Sequence, residues 1–164
     1  MLASKQVLGV DLSAYAPALE LDTAARLRAS IGKLSRRLRP TAAGAAAGLT
    51  PTRISILFTI RRLGPIRLSE LAEEEGLNPT MLSRVIAAFA DSGLVTRVSD
   101  PDDRRAALVQ VTAAGRELCE RMQGERTDVL ELALWALADA DRRAVEQALP
   151  VLEHLAHGLK GRRG

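Results

Sequence analysis

The sequence has very few cysteine and aromatic residues and no long apolar segment. Cys119 is the only cysteine among 164 residues, which excludes an internal disulfide and is typical of a reducing cytoplasm. Aromatic residues make up 2% of the chain, so the core must be aliphatic and a ligand pocket would offer few rings for stacking. No uncharged apolar run approaches the ~20 residues of a membrane-spanning helix, and the first 22 residues lack the pattern of a secretory signal. These absences predict a cytoplasmic protein without a membrane partner.

The net charge of +3, from 23 basic and 20 acidic residues, only weakly indicates an anionic partner. The excess of positive charge lies in residues 26–39 and in a basic tail at 161–164, whereas residues 70–76 are acidic. Nucleic-acid binding would therefore depend on the placement of individual arginines rather than on the charge of the whole chain.

The N-terminal part of the chain is predicted to contain an arm, a helix and a connector. Residues 1–17 show no sustained periodicity and are interpreted as the arm. Residues 18–40 carry Leu or Ile at spacings of three and four, the pattern of an amphipathic helix, and Pro40 ends it. Residues 41–48 are rich in alanine and glycine, which predicts a flexible connector.

Capping residues and β-branched segments divide the rest of the chain. The pair Thr50–Pro51 is a strong helix start, and a short extended segment follows that helix. Residues 94–99 and 106–111 have the length and composition of two strands of a hairpin. Thr112 then caps the first of two long helices, and Pro150 is expected to kink the second.

Ala72, Gly76 and Leu82 have the spacing of a helix-turn-helix. This motif needs a small residue where its two helices nearly touch, a glycine at the sharp turn, and an apolar residue of the second helix that packs against the first. Two ordinary core helices joined by a glycine turn would show the same three residues. The triple alone therefore leaves both interpretations open.

The second of these helices, which follows the capping residue Asn78, has an outer face suited to the DNA major groove. Once its apolar side chains are turned inward, the residues that point away are short or hydroxylated and include one arginine: Pro79, Thr80, Ser83, Arg84 and Ala87. A solvated helix face more often carries lysine and glutamate. A narrow face with hydrogen-bond donors fits the ~12 Å major groove, and N–H groups at the helix start can meet phosphate.

The segment from Leu49 to Leu118 resembles the MarR family of winged-helix transcriptional regulators. Its most specific parts are "GLVTR", "DPDDRRA" and "LVQVTAAGR", and the flanking helices fit in order and length over roughly residues 18–159. The resemblance implies a mainly α fold with a small β-hairpin wing. A winged helix-turn-helix at 50–112 would lie between a first dimerisation helix at 18–40 and two C-terminal dimerisation helices at 113–160.

The same resemblance implies an obligate homodimer that binds double-stranded DNA and regulates transcription as a repressor. One recognition helix per subunit would enter the major groove, and the hairpin would lie over the minor groove. Palindromic operators with half-sites about one helical turn apart follow from the dimer symmetry. In many members a small-molecule effector releases the DNA. No cofactor and no metal is expected.

Two positions depart from the family pattern. Arg67 stands where a serine or threonine usually caps the helix of Glu70, so this helix start is weaker or gains a phosphate contact. Ala87 stands where an acidic side chain is common on the recognition helix. One polar contact or charge pair is therefore missing there.

The charged hairpin tip carries the chemistry of the wing. The minor groove is narrow and strongly negative, and it attracts arginine. Asp103, two residues before Arg105, can brace that arginine through charge-assisted hydrogen bonds, and the resemblance places the family's Asp–Arg wing pair at these positions. Arg104 would point toward phosphate, while residues 100–102 shape the turn. The alternative is an exposed Asp103–Arg105 salt bridge without function.

Other polar residues give weaker signals. Cys119 lies within a long helix and is interpreted as a small interior or interface residue rather than a redox sensor. His154 and His157 have a spacing that can chelate a metal, but the sequence has no third histidine, and a solvated helix end is the preferred interpretation.

Alternatives remain for the C-terminal helices and for the function. The helix leucines could form an intrachain core, but they present more apolar surface than one short first helix can cover, which favours dimerisation: Leu130, Leu134, Leu137, Leu149, Leu152 and Leu155.

The main alternative function is a winged-helix module that binds protein instead of DNA. Arg84, Arg104 and Arg105 argue against it, because a protein-binding face would favour exposed aromatics or leucines. An enzyme is the least favoured class, since no nucleophile–histidine set or phosphate-binding loop is visible.

Overall fold

The computed structural model describes residues 6–7, 10–11, 21–101 and 107–160. Its elements are β1 (Gln6–Val7), β2 (Val10–Asp11), α1 (Leu21–Leu38), α2 (Ala42–Ala46), α3 (Pro51–Leu63), β3 (Ile66–Arg67), α4 (Leu68–Glu75), α5 (Pro79–Asp91), β4 (Val95–Ser99), β5 (Ala107–Val111), α6 (Ala113–Trp135) and α7 (Asp139–Lys160). The predicted mainly α fold with a small β-hairpin is confirmed.

The chain divides into two compact units. The winged-helix unit comprises Leu38–Val129, and the terminal-helix unit comprises Met1–Arg37 together with Leu130–Gly164. Helix α6 contributes to both, because the division falls inside it. In the part of the chain that the structure describes, no helix is long and apolar enough to cross a membrane.

The winged-helix unit closes around an aliphatic core with one buried aromatic ring, that of Phe89, and the half-buried Phe58 packs against this core. Every element from α3 to α6 contributes buried side chains to it: Ile54, Ile56, Leu57, Ile60, Ile66, Leu71, Ala72, Leu82, Val85, Ile86, Phe89, Val95, Val109, Val111, Leu118, Cys119 and Met122. The apolar residues of α5 that the helical periodicity turns inward are among them, namely Leu82, Val85, Ile86 and Phe89. Burying a Leu, Ile or Phe side chain stabilises a fold by about 1.5–3 kcal/mol, so this unit has a substantial core of its own.

The wing is a three-stranded antiparallel sheet in the order β3-β5-β4. Strands β4 and β5 pair from Val95 opposite Val111 to Ser99 opposite Ala107, as the predicted hairpin requires. The short extended segment β3 also pairs with β5, with Ile66 opposite Val109 and Arg67 opposite Leu108. This third strand connects the hairpin to the residue that precedes α4.

The predicted capping residues Thr50 and Thr112 begin their helices as expected. The Thr50 hydroxyl accepts a hydrogen bond from the Arg53 N–H at 3.4 Å, and the Thr112 hydroxyl accepts one from the Gly115 N–H at 3.1 Å. Gly115 also permits a close approach of α6 to the start of the wing. A Cβ atom at this position would lie 2.1 Å from the carbonyl oxygen of Leu94.

The prediction of a flexible connector at 41–48 is wrong, because this segment contains helix α2. The Thr41 hydroxyl caps it by accepting from the Gly44 N–H at 3.2 Å, and the Glu125 carboxylate accepts from the Ala43 N–H at 2.9 Å. A Cβ atom on Gly44 would lie 3.2 Å from the Met122 sulfur, so the absence of a side chain lets α2 pack closely. Side chains of α6 thus stabilise a helix that local composition does not indicate.

The terminal-helix unit presents its large apolar side chains to solvent. None of the large hydrophobic residues whose exposure is described in α1, at the end of α6, in the turn that follows it or in α7 is buried, and most are well exposed: Ile31, Leu34, Leu130, Leu132, Trp135, Leu137, Val145, Leu149, Val151, Leu152, Leu155 and Leu159. The alternative in which the helix leucines form a core within one chain therefore does not describe this structure. Helix α7 continues through Pro150.

Within the predicted arm, β1 and β2 pair antiparallel, with Gln6 opposite Asp11 and Val7 opposite Val10. The sequence pattern of residues 1–17 does not predict this pairing. The basic tail at 161–164 lies outside the described residues.

Candidate nucleic-acid interface

Helices α4 and α5 form the helix-turn-helix that the triple Ala72, Gly76 and Leu82 predicts. Gly76 ends α4 with a φ of +64°, a left-handed conformation that glycine adopts without strain. The Leu77 N–H donates to the Ala72 carbonyl at 2.9 Å and closes the turn. Ala72 and Leu82 are both buried, the small residue in the first helix and the apolar residue in the second.

The outer face of α5 is formed by the predicted residues and by one that sequence reasoning missed. Pro79, Thr80, Arg84 and Ala87 are exposed, and Ser83 is half-buried. Met81 is the missed residue, with 42% of its surface exposed. A helical projection places Met81 at the edge of the buried face, where its apolar character suggests burial. Whether a residue at this edge is buried depends on the neighbouring elements, and in this structure they leave the Met81 side chain exposed.

The start of α5 offers fewer N–H groups to an anion than a bare helix start would. The Asn78 side chain accepts from the Thr80 N–H at 2.8 Å, which confirms the predicted cap. Pro79 carries no N–H group. A phosphate near this helix start would therefore depend more on side chains than at a bare helix start, and Thr80 and Arg84 are exposed donors there.

The acidic residues of α4 hold this helix against α3. Arg62 forms an ion pair with Glu74 at 2.6 Å, and the Thr59 hydroxyl donates a hydrogen bond to the Glu75 carboxylate. Thr59 is itself buried. The run of three glutamates thus has a structural use, since two of them fix the position of the first helix of the helix-turn-helix.

The base of the wing contains a buried carboxylate. Asp100 follows β4 directly and is only 4% exposed. Its Oδ2 atom lies 2.7 Å from Nε and 2.6 Å from a terminal nitrogen of Arg67. The expectation that Asp100 mainly shapes the turn therefore needs correction, because its side chain forms an ion pair with the residue before α4.

Arg67 does not replace the usual serine or threonine cap of α4, because a guanidinium has no hydrogen-bond acceptor. The Glu70 carboxylate accepts from the Arg67 N–H at 3.4 Å, which gives this helix start one side-chain partner. The Arg67 side chain is directed to Asp100 and remains 42% exposed. The other predicted wing residues, Asp103, Arg104 and Arg105, lie outside the described residues.

The remaining candidate residues lie elsewhere. Cys119 is fully buried in the core, and burial raises the pKa of its thiol although Arg61 opposes the shift. His154 and His157 are exposed on α7, where the His157 ring contacts the Glu153 carbonyl oxygen at 2.8 Å. Among the residues that the structure describes, no group of His, Cys, Asp or Glu is arranged to hold a metal ion.

Comparison with known proteins decides the family. The MarR family pattern matches residues 49–107. The uncharacterized HTH-type transcriptional regulator Mb0904 of Mycobacterium bovis is 32% identical over 136 residues, which cover 80% of this chain and 94% of that protein. The chain belongs to the MarR family. It is accordingly a transcriptional regulator rather than an enzyme, and the enzyme alternative is set aside.

Solved structures share the MarR family fold. The transcriptional regulator Tm0710 of Thermotoga maritima superposes with a TM-score of 0.75 at 23% identity, over 87% of this chain and 99% of that one. A mutant of S. aureus MepR bound to an oligodeoxyribonucleotide superposes with a TM-score of 0.61 at 14% identity, over 83% of this chain and 99% of that one. Both confirm the winged-helix architecture.

Proposed function

We propose that this MarR family regulator is a cytoplasmic repressor that binds palindromic operator DNA as a homodimer. In this proposal α5 is the recognition helix and enters the major groove, while the wing lies over the adjacent minor groove. The observation that carries the proposal is the outer face of α5, in which short and hydroxylated side chains surround one exposed arginine. The oligonucleotide bound by MepR, a protein of the same fold, adds support by analogy.

The terminal-helix unit supports the dimer. Most of its large apolar side chains are exposed in the single chain, and exposed apolar surface of this extent supports an interaction site. A second copy of the chain would cover these helices and place two recognition helices on one duplex. Twofold symmetry then requires inverted half-sites with centres about 10 base pairs apart.

Within α5, we assign Arg84 to a guanine edge or a phosphate, and Thr80 and Ser83 to neighbouring polar contacts. Pro79 and Ala87 allow close approach to the groove. Met81 would add an apolar contact to the methyl group of a thymine, since the major groove displays this group and an exposed thioether side chain can cover it.

The test begins with selection of sites from random duplex DNA by the purified protein, followed by footprinting upstream of its own gene. If both half-sites are held mainly through phosphates, affinity is expected to fall by a factor of ~10³ or more between 50 and 200 mM salt. Arg84→Ala is expected to cost ~1–3 kcal/mol and to relax preference at one base pair if it reads a base. Arg121→Ala, which removes the same charge from α6, is the control.

Replacing thymines of the selected site by deoxyuridine tests the role of Met81. Removal of the contacted methyl group should weaken the wild type and leave Met81→Ala unaffected. An Arg84→Ala variant with unchanged affinity would mean that α5 is not the recognition helix. The protein-binding module would then become the preferred function.

In the wing, we propose that Arg105 enters the minor groove and that Asp103 braces it. Removing the negative charge of Asp103 would strengthen DNA binding if only net charge mattered. The brace predicts the opposite, with Asp103→Ala weakening binding and Arg105→Ala weakening it further at little change in melting temperature. Release of DNA by a small-molecule effector, which the family resemblance implies, stays a prediction.

A further inference from the structure

The pair of Arg67 and Asp100 joins two parts of the winged-helix unit that are 33 residues apart in the chain. Two guanidinium nitrogens of Arg67 approach the same carboxylate oxygen at 2.6 and 2.7 Å, and the carboxylate is almost fully buried. Of the charged residues that the structure describes, Asp100 is the only buried one. An ionised carboxylate in such a position requires compensation by charged or hydrogen-bonding groups, and Arg67 supplies part of it.

Arg67 lies in β3 and is linked to β5 and to the residue that follows β4. Its main chain is paired with Leu108 of β5, and its side chain holds the residue that directly follows β4. The next residue in sequence, Leu68, begins the first helix of the helix-turn-helix. One residue therefore connects the two strands, immediately before the hairpin tip, with the helix pair that carries the recognition face.

We infer that the Arg67–Asp100 pair positions the wing for DNA binding. It sets the direction in which the tip leaves the sheet relative to α4 and α5, so that Arg105 reaches the minor groove when α5 lies in the major groove. Both are positioning residues that act through Arg105. This inference rests on the proposed function, and it assigns to Arg67 a role other than a direct phosphate contact.

Removing the charge of Asp100 distinguishes between two roles for Arg67, a direct phosphate contact and the positioning of the wing. If Arg67 bound phosphate directly, Asp100→Asn would remove a competing negative charge and strengthen DNA binding. If the pair positions the wing, Asp100→Asn weakens binding because a neutral amide holds the guanidinium less firmly. Arg67→Lys gives a second distinction, since lysine serves a phosphate well but cannot reproduce the two-nitrogen contact.

The experiment is a double-mutant cycle on affinity for the selected operator, with Asp100→Asn and Arg67→Lys each combined with Arg105→Ala. Each single change in the pair is expected to lower affinity by roughly tenfold in the wild-type background. In the Arg105→Ala background the same change is expected to have less than about a twofold effect, because the positioned contact is already lost. Circular dichroism and thermal melting establish that each variant is folded.

Arg62→Ala is the matched control. It removes an arginine from an ion pair of the same length, at 2.6 Å, but its partner Glu74 is exposed. Its effect on affinity, whatever its size, should be equal in both backgrounds.

Equal losses for the Arg67 and Asp100 variants with and without Arg105, or tighter binding by Asp100→Asn, would overturn the inference and leave the proposed function intact. An Arg105→Ala variant that binds as well as wild type would overturn it too, since no wing contact would remain to be positioned. Failure of the wild type to bind any DNA would overturn the proposed function itself, and this inference with it.

Discussion

The two units of this chain place their apolar side chains in opposite environments. In the winged-helix unit, α3, α5 and the wing strands bury their aliphatic residues against one another. In the terminal-helix unit, α1 and α7 also carry large aliphatic residues, but none of those whose exposure is described is buried and most are exposed. Both units contain amphipathic helices, so helix patterning alone does not distinguish them.

The difference shows which unit is complete within one chain. Each fully buried aliphatic side chain contributes about 1.5–3 kcal/mol, and the winged-helix unit obtains this stabilisation internally. Among the described residues, the large apolar side chains of the terminal helices do not obtain it, because none of them is buried. The proposed homodimer would supply an apolar surface for these helices, and substitutions in either unit test this difference.

The largest effect is expected from Leu155→Glu in α7. A dimer would lose two apolar contacts of about 1.5–3 kcal/mol each and would bring two charges into the interface. Dimerisation and folding are expected to fail together, because obligate dimers often have no stable monomer. Sedimentation and thermal melting over a range of protein concentrations measure both. The control is Leu63→Glu, which changes a similarly exposed leucine of the winged-helix unit and should leave the dimer intact.

A wild-type chain that sediments as a stable, folded monomer at micromolar concentration would contradict the proposal that the terminal helices need a second copy of the chain. A melting temperature that rises with protein concentration would support it, since association stabilises only the folded state.

Gly115→Ala is expected to destabilise the winged-helix unit by about 2–3 kcal/mol, because its Cβ would overlap the Leu94 carbonyl oxygen and force α6 away from the wing. Gly124→Ala is the control in the same helix. A Cβ at Gly124 has no atom within 4 Å, and alanine there is expected to stabilise the helix by about 0.5–1 kcal/mol. Urea unfolding at one protein concentration compares the two. Equal effects would mean that α6 does not approach the Leu94 carbonyl oxygen closely at Gly115.

The smallest effect concerns Cys119. Burial raises the pKa of this thiol above its ordinary value of 9.0, with Arg61 opposing the shift. The folded state therefore holds the thiol proton more firmly than the unfolded state. This contribution to stability is fully present below about pH 9.0 and is lost as pH rises through the higher folded pKa.

Urea unfolding between pH 7 and pH 10 should show a small alkaline loss of stability that Cys119→Ala lacks. In native protein at neutral pH, the thiol is expected to react with a disulfide reagent only as fast as the core opens. Labelling of the native protein at the rate seen in urea would show that the core is not closed around Cys119.

Local sequence predicts well the elements that are determined by residues close together in the chain. Asn78, the inward residues of α5 and Gly76 determine a cap, a buried face and a turn within about a dozen residues, and all three are found. The outer face of α5 follows from the same periodicity. The exposure of Met81 does not, because it depends on what packs beside the helix.

The features that sequence reasoning missed depend on contacts distant in the chain. Helix α2 is stabilised by Glu125, whose carboxylate accepts a hydrogen bond from the N–H of Ala43, 82 residues away in the chain. The buried pair at the base of the wing joins Arg67 to a carboxylate 33 residues away. Neither contact can be inferred from composition or spacing, since both require the tertiary arrangement of α6 and the sheet.

The short side chains on the outer face of α5 also affect the thermodynamics of association. Pro79 and Ala87 have no side-chain rotamers to lose, and Thr80 and Ser83 have few, whereas long charged side chains lose up to about 2 kcal/mol each in conformational entropy when they are fixed. If α5 is the recognition helix, as proposed, most of this face is close to its bound conformation before DNA arrives. Ordering of these side chains would then offset little of the entropy gained when counterions leave the DNA phosphates. Calorimetry at low salt should therefore find that DNA binding is driven by entropy, with only a small enthalpy change.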